Sequence, residues 1–125
     1  MELLKVSGFE HIHQVDDFKK LFEQATSEKD ADGRYHRWLR QKLFILDNLG
    51  MEALKLEGFE PLSDTDPKLF SIRYPHSRVN PRIIYIYADK SEIYLLYAFK
   101  ESSKTANSDY RAAIKTASNR LKYLL

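Results

Sequence analysis

The side chains best suited to chemistry in this 125-residue sequence are cations strung among aromatic and β-branched residues. They are Arg73, Arg78, Arg82, Lys90, Lys100 and Lys104, with Tyr85, Tyr87, Tyr94 and Tyr97 between them. A guanidinium presents planar, paired donors that grip two oxygens of a phosphate at once. Cations preorganised in a partly dry cleft stabilise negative charge as it develops on a reacting phosphate. Metal-dependent nucleases instead cluster Asp and Glu to hold the ion. The stretch from Leu69 to Thr105 is poor in carboxylates, which points away from a metal mechanism.

The charge distribution agrees with a polyanion as partner. Residues 1–67 carry 9 lysines and arginines against 14 acidic residues, whereas residues 68–125 carry 11 against 4. A net charge of +2 thus hides an acidic first half and a basic second half, and a basic surface on a nearly neutral chain suits nucleic acid. The plainer alternative is that the halves interleave in space and cancel. A second basic stretch, Arg34, Arg37, Arg40 and Lys42, puts its arginines three apart on a helix. That spacing suits either a solvated face or a contact with RNA or an acidic partner.

These side chains need elements to position them. Residues 2–10 are a candidate opening strand. Val15, Phe18, Leu21, Phe22 and Ala25 follow helical spacing and predict an amphipathic helix over about 15–26. The polar stretch 27–33 is a connection, and a second helix runs to about Leu49 with Gly50 as its stop. Three strands follow: Leu69 to Tyr74, Arg82 to Ala88 and Ile93 to Phe99, the last two joined by the turn Asp89-Lys90-Ser91-Glu92. Both strands of that hairpin are apolar on both faces and belong in the middle of a sheet. Asn107 or Ser108 can cap a last helix carrying Tyr110, Ala113, Ile114, Ala117, Leu121 and Leu124. The expectation is one α+β domain over residues 1–125, a helical hairpin packed on an antiparallel β-sheet with a C-terminal helix. With no cysteine, no signal-peptide pattern and no apolar run of about 20 residues, a cytoplasmic protein away from membranes is expected.

Three segments carry a family likeness: Leu69-Phe70-Ser71-Ile72-Arg73, then Arg82-Ile83-Ile84-Tyr85, then Leu95-Leu96-Tyr97-Ala98-Phe99-Lys100-Glu101-Ser102-Ser103-Lys104-Thr105. In order and spacing they resemble HigB-type toxins of the RelE/ParE superfamily, including phage-derived relatives. Those proteins run from a strand ending in Leu-Arg, through a Tyr-Arg strand, to an apolar strand leading into Phe-Lys-Lys-x-x-x-Lys-Thr-Pro and a terminal helix. The likeness covers somewhat under half the chain. It departs at Tyr97-Ala98, where many relatives have His-Gly, at Glu101 in place of the second lysine, and at Ala106 in place of the proline.

The resemblance implies a RelE-like fold and a type II toxin-antitoxin toxin, a ribosome-dependent mRNA endonuclease that needs no metal or other cofactor. The substrate's own 2′-hydroxyl would attack the phosphate. Carried over by position, Arg73 and Arg82 are phosphate binders, Lys100 and Lys104 add charge or donate a proton, and Tyr97 stands where relatives have histidine. Tyrosine's ordinary pKa near 10 makes it a poor base at pH 7. Lys68, Arg78, Arg34 and Arg37 are candidate RNA contacts. Implied partners are a cognate antitoxin, the ribosome and mRNA, with operator DNA reached only through the antitoxin complex. The competing readings are a non-catalytic ParE-like gyrase poison and a detoxified RNA- or protein-binding module, because fold alone does not decide between them. At each position the plain structural reading stands beside the functional one. Strand arginines are often ion-paired, loop lysines solvated, and strand tyrosines core or sheet packing. His11 and His13, two apart on a possible strand, face one way but lack a third metal ligand nearby.

Overall fold

The structure, a computed structural model, describes residues 1–26, 32–102 and 106–124. Strands β1 (Leu3–Lys5) and β2 (Ile12–Val15) precede helices α1 (Phe18–Thr26) and α2 (Arg34–Leu49), and a 3-10 segment, Gly50–Lys55, follows. Then come β3 (Phe59–Pro61), β4 (Phe70–Arg73), β5 (Pro81–Tyr87), β6 (Ile93–Lys100) and helix α3 (Ala106–Leu124). The six strands form one sheet in the order β1-β2-β6-β5-β4-β3.

The fold is α+β, as the run of helices and then strands predicts, but the sheet is mixed rather than antiparallel. Strand β2 pairs parallel to β6, whereas every other neighbour is antiparallel. Of the expected opening strand over 2–10 only Leu3–Lys5 is a strand, and the second short strand, Ile12–Val15, follows beyond it. Gly8, at φ 90, turns the chain between them, and a Cβ there would sit 2.9 Å from the Arg40 guanidinium. The first helix starts three residues later than its apolar spacing suggests, because Val15 belongs to β2. Of the expected connection 27–33, residues 27–31 lie outside the described residues.

Strands β5 and β6 are central, as their apolar character on both faces requires. Ile83, Ile84, Ile93, Leu95 and Leu96 have no solvent exposure, and each such side chain contributes about 1.5–3 kcal/mol by burial. The ladder slips between Ile84 and Tyr85, so that Tyr97 and Leu95 face consecutive β5 residues and Leu96 is the extra residue of a bulge. Helix α3 lies over the face bearing Tyr97 and Phe99, where Phe99 meets Tyr110. Helices α1 and α2 serve the opposite face and meet where Phe22 stacks on Trp38. At the far end of α2, Gly50 (φ 56) closes the helix as expected, donating its N–H to the Leu46 carbonyl. No helix among the described residues is long and apolar enough to cross a membrane.

Candidate nucleic-acid interface

The antiparallel ladder between β4 and β5 sets Arg73 directly opposite Arg82. Side chains of such a pair share one face of the sheet, so the two best sequence candidates are neighbours. Their surroundings differ. Arg73 closes β4 at the margin of the sheet, half-exposed, with one Nη 3.3 Å from a Glu60 carboxylate oxygen. Arg82, second in the buried strand β5, has 3% of its side chain exposed, and Glu101 neutralises it. One Glu101 oxygen accepts from Arg82 Nε at 2.5 Å, from Asn80 Nδ2 at 3.3 Å, and from an Arg82 terminal nitrogen. The Tyr110 ring of α3 packs against the same guanidinium, 5.9 Å from ring centre to Cζ.

Arg73 also lines a groove with a space of about 460 Å³. The groove's other charged walls are Arg34, Arg37 and Lys42 of α2, with Glu57 the one carboxylate. Trp38 and Tyr74 form part of its floor, stacked at 5.0 Å, and Arg34 Nε donates to the Tyr74 hydroxyl at 3.2 Å. That hydroxyl in turn holds the Arg34 guanidinium above its ordinary pKa. Three helix cations thus face one trough, and Arg73 borders it at the strand end with its guanidinium turned to Glu60 on the other face of the sheet. Arg40, expected on the same helix face, instead covers the Phe9 ring at 4.9 Å. Steps of three residues fall short of a 3.6-residue turn, so each arginine rotates about 60° from the last.

The other candidates spread out. Lys100 is exposed at the end of β6, paired with Pro81 in the ladder, so strand alternation aims it away from the face that holds Arg82. Arg78 is exposed on the loop between β4 and β5. That loop is pinned: the Val79 N–H donates to the buried Tyr35 hydroxyl at 3.1 Å, and Ser77 bonds both Tyr74 and Asn80. Lys68 stands beyond the opposite end of β4 from Arg73, beside Met51, Phe70 and Tyr87. Tyr97 is half-buried under Arg120, whose Cζ is 5.6 Å from the ring centre. Arg120 is itself held by both carboxylate oxygens of Asp17, a contact that depresses the Asp17 pKa. Tyr97 therefore presents no free ring face on that side. Lys104 lies outside the described residues.

His11 and His13 do face the same way, and both bond Glu92, at 3.2 and 2.8 Å. Among the described residues no group of three or more His, Asp or Glu could hold a metal ion. What sequence reasoning missed is the acidic and neutral company of the two arginines: Glu60, Asn80, Glu101 and Tyr110. Glu101 was visible as a sign reversal next to Lys100, but its approach to Arg82 depends on the β5–β6 register. Among these neighbours, burial pushes the Tyr110 phenol up, with Arg82 opposing it, so the ring stays neutral. No protein-family model matches this chain, and no curated protein or solved structure does either.

Proposed function

We propose that this chain is a HigB-like toxin of the RelE/ParE type, an endoribonuclease that cuts translated mRNA on the ribosome and is silenced by an antitoxin. The supporting observation is the groove walled by Arg34, Arg37 and Lys42 of α2 and bordered by Arg73 at the end of β4. A trough of this kind suits the backbone of single-stranded RNA, whose phosphates are matched by cations spaced along a wall. In this reading the phosphate under attack lies at the groove's rim beside Arg73. The helix cations hold the flanking phosphates. The 2′-hydroxyl supplies the nucleophile, and the ribosome supplies much of the alignment, which relaxes the demand for a strong base in the protein. The fold agrees with the resemblance in the order of its central strands and terminal helix, and a RelE-like architecture belongs to the same proposal, as does a cytoplasmic location.

A second reading has its own observation. With Arg82 buried and neutralised by Glu101, the groove can bind RNA without cutting it. Primer extension on messages from cells expressing wild type or Arg73→Ala separates the two. Discrete cuts inside translated codons, lost in the variant, support the endonuclease. Intact messages despite tight RNA binding support the silent module, and broken or relaxed DNA with intact messages indicates a gyrase poison.

A further inference from the structure

Around Arg82, among the described residues, the buried donors without a partner, Arg82 Nη1, Arg73 Nε and Tyr110 Oη, outnumber the one buried acceptor without one, Asn80 Oδ1. A single oxygen of Glu101 collects both the Nε and a terminal nitrogen of Arg82 together with Asn80 Nδ2. Among the described residues the remaining Arg82 nitrogen, Nη1, is buried with no partner, and so is Nε of Arg73 on the facing strand position. Buried donors without acceptors are rare in native proteins, and each is destabilising. Two such donors on two adjacent guanidinium groups mark a place where further acceptor oxygens belong. A carboxylate oxygen already shared by three donors does not supply them. A tetrahedral oxyanion does, because it offers several oxygens to the same fork geometry.

We infer that Arg82, Asn80 and Arg73 form a phosphate site, and that Glu101 occupies it as an internal stand-in which an incoming phosphate group displaces. The route is through Glu101 itself. Its side chain is 13% exposed against 3% for Arg82, so the carboxylate is the outward member of the pair. It sits one residue past the end of β6, where a side-chain rotation carries it to solvent without breaking the ladder. The phosphate would then take the Arg82 fork and the Asn80 amide, and would reach Nη1 and Arg73 Nε with oxygens the carboxylate lacks. Tyr110, whose buried hydroxyl is also unpartnered, borders the same space and can donate to it. Specificity follows from charge: with Glu60 and Glu101 both in place the two arginines are balanced, and only the departure of Glu101 leaves a cationic site. A phosphodiester of RNA and free phosphate share this chemistry. That RNA is the natural source rests on the function proposed above.

Glu101→Gln is the test, because it keeps the shape and the acceptor oxygen while removing the charge that competes with phosphate. Inorganic phosphate is titrated into the intact protein by calorimetry, and a fluorescein-labelled single-stranded RNA is titrated by anisotropy. Glu101→Gln is expected to bind inorganic phosphate about tenfold more tightly than wild type, a shift of about 1.4 kcal/mol. Adding Arg82→Lys to Glu101→Gln should abolish the gain, since an ammonium does not reproduce the fork. Equal phosphate affinity in wild type and Glu101→Gln overturns the inference, and so does a gain that survives Arg82→Lys. The RNA arm uses Arg37→Ala with Lys42→Ala. Loss of RNA binding there with no phosphate gain in Glu101→Gln sinks the inference and spares the groove. A phosphate gain with undiminished RNA binding in the groove variant sinks the groove reading and spares the inference.

Discussion

Removing Glu101 outright should expose how firmly the fold depends on neutralising Arg82. In Glu101→Ala the Arg82 guanidinium keeps its charge at 3% exposure and loses the carboxylate oxygen that accepts from two of its nitrogens. Breaking one side of a buried ion pair costs roughly 3–5 kcal/mol, because the remaining charge stays desolvated without compensation. Urea unfolding of a small domain has a slope of roughly 1–3 kcal/mol per molar, so the midpoint should fall by about 2 M. The reverse truncation, Arg82→Met, should cost less. Glu101 is the more exposed partner and can turn to water, whereas Arg82 cannot. Replacing both, as Arg82→Met with Glu101→Leu, should recover most of the loss, since an apolar pair of similar volume is often as stable as the ion pair it replaces. The cycle is read from linear extrapolation of urea curves monitored by the fluorescence of Trp38. A drop of less than about 0.5 M for Glu101→Ala would show that the guanidinium finds solvent or another acceptor, and the burial argument would fail. So would a double variant less stable than Glu101→Ala alone.

Two further outcomes follow from the same coordinates. Tyr35→Phe should cost about 1–3 kcal/mol in urea and speed amide exchange at Val79, because the Val79 N–H loses its acceptor at a fully buried ring; unchanged exchange would show that this hydroxyl does not pin the loop. Asp17 titrates below its ordinary value of 3.8, chiefly because Arg120 donates to it. A carboxyl with a depressed folded pKa contributes stability that is fully present above the unfolded value and disappears as pH falls through the lower folded one. Thermal unfolding should therefore show Asp17→Asn less stable than wild type at pH 7, with the gap closing as pH falls below the ordinary carboxyl value of 3.8; a gap independent of pH would mean that the substitution acts through packing alone.

Part of this architecture is legible in the residues because two physical signals are unambiguous here. Continuous β-branched and aromatic runs, Arg82-Ile83-Ile84-Tyr85-Ile86 and Ile93-Tyr94-Leu95-Leu96, exceed what a one-sided strand needs and place β5 and β6 centrally. Asp89 then accepts from the N–H groups of Ser91 and Glu92, which makes the turn between them a local matter. Strands β1 and β3 are a different case. Each has three residues, and β3 contains Pro61, which lacks an N–H and is tolerated at a sheet edge. Strand β1 still falls inside the opening strand expected over 2–10, whereas β3 exists because β4 offers a free edge, and its own composition does not announce it. The parallel β2–β6 pairing is less visible still. It joins Ile12 to Ile93 across most of the chain, and no local pattern encodes a partner so distant in sequence.

The arginines show where residue type stops being informative. Arg73 and Arg82 have the same chemistry and occupy facing positions, yet one is half-exposed and the other is sealed. What separates them is the strand each belongs to: Arg73 ends β4, and Arg82 stands second in central β5, under Tyr110 of α3, with Glu101 brought in by the Pro81–Lys100 pairing. A cation in a sequence therefore signals phosphate binding only as far as its exposure and its nearest carboxylate allow. Here the same β5–β6 register that buries Arg82 also delivers the acid that neutralises it, so burial and neutralisation are one event. Any change that releases Glu101 converts a structural arginine into a binding one, and it does so without moving a strand.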